Sequence, residues 1–363
     1  MRLRRSVALP ILLWRYDMET VGIGIIGSGF MGRTHAEAFS KYVQGAVLRA
    51  VAGGSRATAL AAEYGIDCEL TPEDLVERHD VDAVTVATPH SVHASNALLA
   101  MSAGKHVLLE KPVAATLGDC HKIEKALRDS GVVCQVAFTQ RYRKANEKAK
   151  EIIDSGRIGR VLQVFEMQHD WHGLSGLPAW QSQPENIGTL FGHGCHSVDR
   201  IRWFTGEEVE TVFAHCSPSL QGANVESRSM VTMVLTGDVA ATFWCCWESP
   251  KPGFPSSAFR SRVLGECGLL DVDAYGKLQL GIGEKWETVY EQPPLDFRGD
   301  YLAPVRMESF GRQDQAFVDC IRSGRPPEAD LKSGLVAAYV AFAAQISSRE
   351  RRAVFLSEMQ EAS

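Results

Sequence analysis

The sequence predicts an α/β fold, with an N-terminal Rossmann dinucleotide-binding domain and a C-terminal α+β domain that has a large, mostly antiparallel open sheet. Three observations support this prediction: apolar strands alternate with helices up to residue 138, a glycine-rich turn follows the first strand, and period-2 segments dominate the rest. The chain has 363 residues, of which 45% are hydrophobic and 23% charged, so two globular domains are expected. We place them at 21–138 and 139–363.

The first domain reads as a series of βαβ units. Its strands are continuously apolar, as expected when helices cover both faces of a parallel sheet. The predicted strands are Val21–Ile26, Val47–Ala52, Ala83–Ala87, His106–Glu110 and Val132–Ala137. The predicted helices are Thr34–Tyr42, Ala57–Tyr64, Ser95–Ala103 and Leu117–Ser130.

The pattern changes after Phe138. A helix, Lys144–Ser155, precedes segments in which apolar and polar residues alternate, and turn residues such as Thr236-Gly237-Asp238 separate these segments. The predicted strands are Val161–Met167, Val209–His215, Ser229–Leu235, Val239–Cys246 and Ser261–Gly265. The predicted helices are Ser197–Phe204, Ser309–Ser323 and Leu331–Ser348.

Charge and composition exclude several classes of partner. The chain has 38 Lys and Arg against 44 Asp and Glu, a formal net charge of −6, so no nucleic-acid partner is expected. Val7–Trp14 is too short to cross a membrane, so no membrane partner is expected either. Residues 1–20 are interpreted as an N-terminal arm or an over-long start. The 9 cysteines form no CxxC pair, which predicts free thiols and a cytoplasmic location.

The glycine-rich turn is the first candidate binding site. Gly27, Gly29 and Gly32 form a GxGxxG motif between a strand and a helix, with Ser28, Phe30 and Met31 between them. In this context the glycines permit a tight turn, close approach of a pyrophosphate and close packing of the helix on the strand. The helix N-terminus then offers N–H donors to the phosphates.

The end of the second strand bears on which dinucleotide binds. An NAD site usually carries an acidic residue there, whereas this chain reads Gly53-Gly54-Ser55-Arg56. Arg56 has the planar fork that grips a 2′-phosphate, and Ser55 can donate a hydrogen bond. The alternative is that Arg56 is only a solvated surface charge. We predict NADP as the preferred cofactor, with NAD as the alternative.

Several segments together resemble the Gfo/Idh/MocA oxidoreductases. The resemblance covers nearly the whole chain after Thr20. The matching segments are Gly24–Ala36, Val81–His93, Gly104–Pro112, Phe138–Arg143, Ile152–Val161, His193–Gly206 and Ala316–Leu331. This resemblance implies a pyridine-nucleotide oxidoreductase, a polyhydroxy substrate such as a sugar or cyclitol, and a homodimer or homotetramer formed through the open sheet.

The resemblance also implies catalytic roles. Lys111, in Glu110-Lys111-Pro112, would lie beside the substrate oxygen, where an ammonium stabilises an alkoxide or exchanges a proton. His196, with Asp199 three residues later, would relay that proton. The family often has an aspartate four positions before this histidine, and this chain has Gly192 instead. That difference favours Lys111 as the general base, with His193 as a partial substitute for the missing acid.

Further residues are predicted around these two. Thr88, Pro89, His93, Glu110 and Lys111 are expected to contact the cofactor. The expected substrate contacts are Lys111, Arg141, His169, Trp171, His172, Trp180, His193 and His196. Packing in the core is the alternative for each tryptophan. Tyr142, Tyr301 and Trp286 are weaker candidates.

Two other functions remain open at the level of sequence. His169, His172, His193 and His196 would form a metal site for lyase or hydrolase chemistry if the fold brought them together, although their spacing matches no standard zinc pattern and no metal is predicted. Alternatively, the protein is a nucleotide-bound sensor without turnover, because a fold does not determine a function.

Overall fold

The computed structural model describes residues 20–169, 180, 183, 186, 188–220, 225–250, 254, 259–295 and 300–361. The predicted N-terminal arm therefore lies outside the described residues, apart from Thr20. Among the described residues, no helix is long and apolar enough to cross a membrane.

The first sheet has six parallel strands in the order β3-β2-β1-β4-β5-β6. The strands are β1 Val21–Ile26, β2 Ala46–Ala52, β3 Asp67–Glu69, β4 Ala83–Val86, β5 His106–Leu109 and β6 Cys134–Val136. The helices are α1 Phe30–Lys41, α2 Ala57–Tyr64, α3 Pro72–Glu77, α4 His93–Ser102 and α5 Leu117–Ser130. The strand order reverses between β1 and β4, and ligands of open α/β sheets bind at such a point.

The second sheet has nine strands in the order β14-β13-β12-β11-β7-β10-β9-β8-β15. The strands are β7 Val161–His169, β8 Val209–Pro218, β9 Glu226–Leu235, β10 Val239–Cys246, β11 Phe259–Gly265, β12 Leu269–Asp273, β13 Lys277–Ile282, β14 Lys285–Glu291 and β15 Val354–Phe355. The helices are α6 Lys144–Asp154, α7 Cys195–Thr205, α8 Pro304–Ser323, α9 Leu331–Glu350 and α10 Ser357–Glu361, and a π-helical turn, Leu190–Gly194, precedes α7.

The predicted fold class is confirmed, with one detail to add. β7 and β10 run parallel, so the second sheet is mixed rather than purely antiparallel. The elements β3, α3 and β12 to β14 were absent from the sequence prediction. β3 is only 3 residues long and α3 only 6, which is too short for a clear hydrophobic period.

The two faces of the second sheet differ in exposure. Val212, Val231 and Met233 are fully buried on the helix-covered side. On the other side Phe213 and Met230 are 52% and 55% exposed, so apolar side chains face outward. This alternation matches the period of a strand, and it leaves an open apolar face.

A buried ion pair joins α7 to the sheet. The Arg200 guanidinium donates two hydrogen bonds, both 2.6 Å long, to the Glu166 carboxylate on β7, and both side chains are 0% exposed. The Ser261 hydroxyl donates a third bond to Glu166, 2.9 Å long. The pair fixes helix α7, whose second residue is the candidate catalytic histidine, His196.

We expect the substitution Arg200→Met to lower the free energy of unfolding by about 3–5 kcal/mol, because it leaves the Glu166 carboxylate buried without a counter-charge. Urea unfolding monitored by circular dichroism measures this loss. Arg202→Met is the matched control on the same helix: Arg202 pairs with the 46%-exposed Glu208, and the expected loss is at most about 1 kcal/mol. Equal losses in the two variants would contradict the prediction.

Candidate active site

The glycine-rich turn has the geometry that a bound pyrophosphate requires. Gly27 has a φ of 112°, and its N–H donates to Ala52 O at 2.8 Å. A Cβ atom at Gly32 would lie 1.9 Å from Gly27 O, so only glycine fits there. Helix α1 begins at Phe30 with no capping side chain and no acidic residue in its first turn. Its N-terminal N–H groups therefore remain available for an anion.

The end of β2 carries positive but no negative charge near this turn. Gly53 and Gly54 have φ angles of 77° and 83°, which bring the chain back toward Ser28. The Arg56 N–H donates to Ser28 Oγ at 3.2 Å, and Arg56 Nη2 lies 3.6 Å from the Cβ position of Gly29. Both Ser55 and Arg56 are exposed, so their side chains are free to meet a ligand at this edge.

Lys111 lies at the carboxyl end of β5, where the two domains meet. Its ammonium donates to Gly192 O at 2.8 Å, and its peptide bond to Pro112 is cis. The His93 side chain links this loop to the loop after β4, because its ring nitrogens lie 2.7 Å from Pro112 O and 2.8 Å from Thr88 O. His93 is therefore buried and engaged by two loops that border the site, while Thr88 and Pro89 are half-buried.

Glu110 belongs to a buried chain of charges that the sequence analysis missed. His35 Nε2 lies 3.2 Å from Glu110 Oε1, and His35 Nδ1 lies 2.9 Å from Asp314 Oδ2 on α8. The second oxygen of Glu110 accepts the Lys111 N–H at 3.1 Å. Burial opposes the imidazolium, but Asp314 and then Glu110 outweigh it and raise the pKa of His35 to about 10. Burial of the Glu110 carboxyl favours its neutral form, but the hydrogen bond and the charge of His35 outweigh this effect and lower the pKa of Glu110.

Two neutral imidazoles lie beside the Lys111 ammonium. Burial, followed by the Lys111 charge, lowers the pKa of His193 to about 3 and lowers that of His196 well below its ordinary value. In the described part of the chain, Nδ1 of each ring is buried without a hydrogen-bond partner. Phe259 contacts both rings edge-on, at centroid distances of 6.1 Å and 6.4 Å. Such rings can accept a hydrogen bond from a substrate hydroxyl.

Gly192 has a steric reason to lack a side chain. A Cβ atom at this position would lie 2.8 Å from Cζ2 of Trp247, whose indole also contacts His193 edge-on at 5.9 Å. An aspartate at residue 192 would therefore displace Trp247. The Lys111 ammonium instead takes the Gly192 carbonyl oxygen as its acceptor. Trp247 had no motif to identify it, and only the fold brings it to the site.

Other predicted substrate residues have different surroundings. The Arg141 guanidinium forms a buried pair with Asp199 at 2.6 Å and also donates to Glu328 O and Ser333 Oγ, so its hydrogen-bonding capacity is largely used within the protein. Asp199 therefore orients Arg141. Among the described residues, Asp199 forms no hydrogen bond with His196.

The aromatic region is only partly described. His169 stacks on Trp244 with centroids 6.0 Å apart, and Trp180 contacts His90 edge-on at 4.9 Å. Trp171 and His172 lie outside the described residues. Tyr301 lies beside Phe30 of the glycine-rich turn, with ring centroids 4.9 Å apart.

Weaker candidates and the metal alternative can be placed as well. Tyr142 is buried, and Trp286 is 54% exposed on the outer strand β14. Within the ranges that the structure describes, no group of three or more His, Cys, Asp or Glu side chains is placed to hold a metal ion. His172 of the suggested metal site lies outside the described residues.

Profiles of known families match both domains. The profile described as "Oxidoreductase family, NAD-binding Rossmann fold" matches residues 21–138. The profile described as "GFO/IDH/MocA C-terminal domain" matches residues 146–271.

Characterised proteins resemble the chain to different extents. An inositol 2-dehydrogenase of Salmonella typhimurium is 32% identical over 85% of this chain and 88% of its own length. Inositol 2-dehydrogenase 2 of Saccharopolyspora erythraea is 38% identical over 54% of this chain and 57% of its own. A 2,7-anhydro-N-acetylneuraminate hydratase of Mediterraneibacter gnavus is 29% identical over 57% of this chain and 54% of its own. The chain thus spans little more than half the length of the latter two relatives.

Solved structures share the fold. A levoglucosan dehydrogenase in complex with NADH has a TM-score of 0.82 and 22% identity, over 93% of this chain and 99% of its own. An oxidoreductase domain protein of Kribbella flavida also has a TM-score of 0.82, with 24% identity over 93% of this chain and 100% of its own. At this identity the likeness concerns the arrangement of the two sheets.

We expect the positive charge of His35 to stabilise the fold at neutral pH and this stabilisation to be lost as the pH becomes alkaline. Because its pKa rises from 6.5 to about 10 on folding, its stabilisation is complete below pH 6.5 and is lost as the pH rises through 10. The free energy of unfolding, measured in urea from pH 6 to pH 10.5, should fall across this range. In His35→Gln that component is absent, so the two curves converge toward pH 10.5. His79→Gln, at an exposed site, is the control, and an unchanged slope in His35→Gln would refute the assignment.

Proposed function

Because the chain belongs to the GFO/IDH/MocA oxidoreductase family, as its motifs predicted, we propose that it transfers a hydride between a nicotinamide dinucleotide and a secondary alcohol or ketone of a sugar, cyclitol or related polyhydroxy compound. The observation that carries this proposal is the group of three nitrogen-bearing side chains, Lys111, His193 and His196, at the sheet edge that also carries the glycine-rich turn. Lys111 is held by Gly192 O, and the neutral rings of His193 and His196 each leave a buried nitrogen with no partner in the part of the chain that the structure describes.

The glycine-rich turn fits the dinucleotide, because a side chain on Gly32 would collide with Gly27 and the first turn of α1 leaves its N–H groups free. Residues Gly27 to Gly32 would hold the pyrophosphate, and Thr88 and Pro89 would border the nicotinamide side. When bound, the nicotinamide ring accepts or returns the hydride. Glu110 and His93 have a positioning role, because their hydrogen bonds to the backbone of Lys111 and Pro112 fix the loop that carries Lys111.

Lys111 and His196 exchange a proton with the reacting oxygen of the substrate. One N–H of the Lys111 ammonium is used by Gly192 O, which leaves two N–H groups to donate to the reacting oxygen. In the reduction of a ketone, this ammonium stabilises the developing alkoxide and supplies the proton. In the oxidation of an alcohol, the neutral amine form of Lys111 accepts the hydroxyl proton as the hydride leaves the carbon, and it becomes the ammonium. The neutral His196 ring, whose pKa is lowered first by burial and then by Lys111, hydrogen-bonds the same oxygen and relays the proton.

The preferred cofactor in our proposal is NADP. Support comes from the end of β2, where Arg56 lies close to the glycine-rich turn and residues 53–56 contain no carboxylate to repel a 2′-phosphate. NAD remains the alternative, since the matching domain is described as NAD-binding and a structural neighbour was solved with NADH.

The open sheet face fits a second copy of the chain. Phe165 on β7, Phe213 on β8 and Met230 on β9 are 43%, 52% and 55% exposed, which is unusual for large apolar side chains on adjacent regions of one sheet. We propose that this face forms the contact of a homodimer or homotetramer. The absence of disulfides among the 9 cysteines supports a reducing, cytoplasmic location.

We expect Lys111→Ala to lower kcat by a factor on the order of hundreds, because the variant loses the group that exchanges a proton with the reacting oxygen. Turnover is followed at the nicotinamide absorbance band with a panel of sugars and cyclitols. Lys105→Ala is the matched control: its amine donates to Arg78 O and Val81 O, away from the site, and near-normal turnover is expected. A near-normal rate in Lys111→Ala would overturn the proposed role.

We expect Arg56→Asp to shift the ratio of NADP to NAD affinity toward NAD by roughly tenfold or more, because a carboxylate repels the 2′-phosphate and accepts the ribose hydroxyl. Fluorescence titration with NADPH and NADH measures the ratio. Arg49→Asp, at an exposed position earlier on β2, should leave it unchanged. If Arg56→Asp also leaves it unchanged, the NADP preference has another origin.

A further inference from the structure

Two buried arginines lie together at the start of α8. Arg143, which directly precedes α6, is 2% exposed, and Arg306, in the first turn of α8, is 6% exposed. Arg143 Nη1 lies 3.5 Å from Val305 O, the carbonyl of the residue before Arg306. The two charges also lie close enough for Arg143 to act on Arg306, although 163 positions separate them along the chain.

Neither guanidinium has a carboxylate partner among the described residues. The Arg143 side chain hydrogen-bonds Tyr275, while its Nε is buried with no hydrogen-bond partner among the described residues. Arg306 Nη1 donates to Tyr301 O at 2.7 Å and lies 3.5 Å from Thr34 Oγ1. The acidic groups nearby along the chain are engaged elsewhere: Arg312 lies 2.9 Å from Glu147 and 3.6 Å from Glu308, and Asp300 accepts from the Leu302 N–H.

The N-terminus of α8 adds further positive potential at the same place. The helix is 20 residues long, and its first turn contains no acidic residue and no capping side chain. Burial lowers the pKa of Arg306 to about 10; Tyr275 and the Glu110 carboxylate oppose this effect, and Arg143 reinforces it. Cations buried without a counter-charge destabilise a fold, so a ligand that brings negative charge would compensate this arrangement.

Aromatic contacts place the two arginines between the cofactor turn and the imidazoles. The Arg306 guanidinium carbon lies 5.1 Å from the ring centroid of Phe30, which begins α1 after the glycine-rich turn. The Arg143 guanidinium carbon lies 4.1 Å from the Tyr275 centroid, and Tyr275 packs against Phe259 at 5.4 Å. Phe259 is the residue that contacts both His193 and His196.

We propose that Arg143, Arg306 and the N-terminus of α8 form an anion subsite that binds a carboxylate of the substrate, so that the protein acts on a sugar acid in preference to a neutral sugar. This inference rests on the proposed dehydrogenase function. A substrate carboxylate is favoured over the cofactor pyrophosphate, because the glycine-rich turn and the free N–H groups of α1 already provide for the pyrophosphate. A carboxylate also matches the planar fork of a guanidinium.

The test uses the full-length protein with bound NADP⁺, the form that accepts a hydride from an alcohol, and matched pairs of ligands: D-glucuronate with D-glucose, and D-galacturonate with D-galactose. We expect wild-type protein to bind and turn over at least one acid at least tenfold more efficiently than its neutral partner. In Arg306→Gln and Arg143→Gln, this preference should fall roughly tenfold to a hundredfold, the loss typical of a charge-assisted hydrogen-bond pair. Arg312→Gln, an ion-paired arginine on the same helix, should keep the preference.

Calorimetry with the acids and fluorescence titration with NADPH separate the possible sources of the anion. If both arginine variants lose NADPH affinity and show no change with the acids, the subsite serves the cofactor and the proposal is overturned. If wild-type protein shows no preference for either acid, the proposal is overturned as well. Binding of an acid that depends on Arg306 without turnover of any sugar would support the subsite, while the proposed dehydrogenase function would fail.

Folding of the variants is checked by thermal melting, since Arg143 is almost fully buried. A measurement on wild-type protein alone gives an independent answer. Affinity for the acid should fall several-fold between about 0.05 M and 0.5 M salt, whereas affinity for the neutral partner should not change, because only a charged contact is screened. Equal salt dependence of both ligands would contradict a charged subsite.

Discussion

The position of the Lys111 ammonium depends on a buried row of charges that runs from α8 to the end of β5. Asp314 and Glu110 hold His35 between them, and Glu110 also accepts the N–H of Lys111. Because His35 carries a positive charge, the Glu110 carboxylate is neutralised without Lys111. The amine of Lys111 therefore takes the Gly192 carbonyl as its partner and keeps two N–H groups for a substrate. Without His35, Glu110 would have Lys111 as its closest cation.

The same row explains why the two domains form one site. Lys111 comes from the nucleotide-binding sheet, whereas Gly192, His193 and His196 come from the segment that opens α7. The Arg200–Glu166 pair fixes α7 on the second sheet, and the Asp314–His35 contact fixes α8 on α1. Each of these contacts is fully buried, and each tolerates little displacement, because a separated charge inside the protein lacks solvent to compensate it. The distance between Lys111 and the imidazoles is thus set by two ion pairs on either side of it.

Local patterns predicted much of this arrangement. The glycine-rich turn, the parallel sheet and Lys111 are accessible from sequence, because each depends on residues close together in the chain or on a motif that retains its spacing. The partners of these residues were not. His35 and Asp314 are 279 positions apart, and Trp247 meets Gly192 only after β10 has been paired with β7. Contacts of this kind leave no periodic signal, and Arg141, predicted to face the substrate, instead forms its closest contact with Asp199, 58 positions away.

The charge balance of the site follows from what surrounds each base. His193 and His196 are kept neutral by burial and by Lys111, so they can accept hydrogen bonds from hydroxyl groups over the whole physiological pH range. Glu110 is neutralised by His35, and Asp199 by Arg141. The positive charges of Lys111, Arg143 and Arg306 are left without carboxylates of their own among the described residues. A site with neutral acceptors and surplus positive charge favours a ligand that offers both hydroxyl groups and an anion, and this combination distinguishes a sugar acid from a simple polyol.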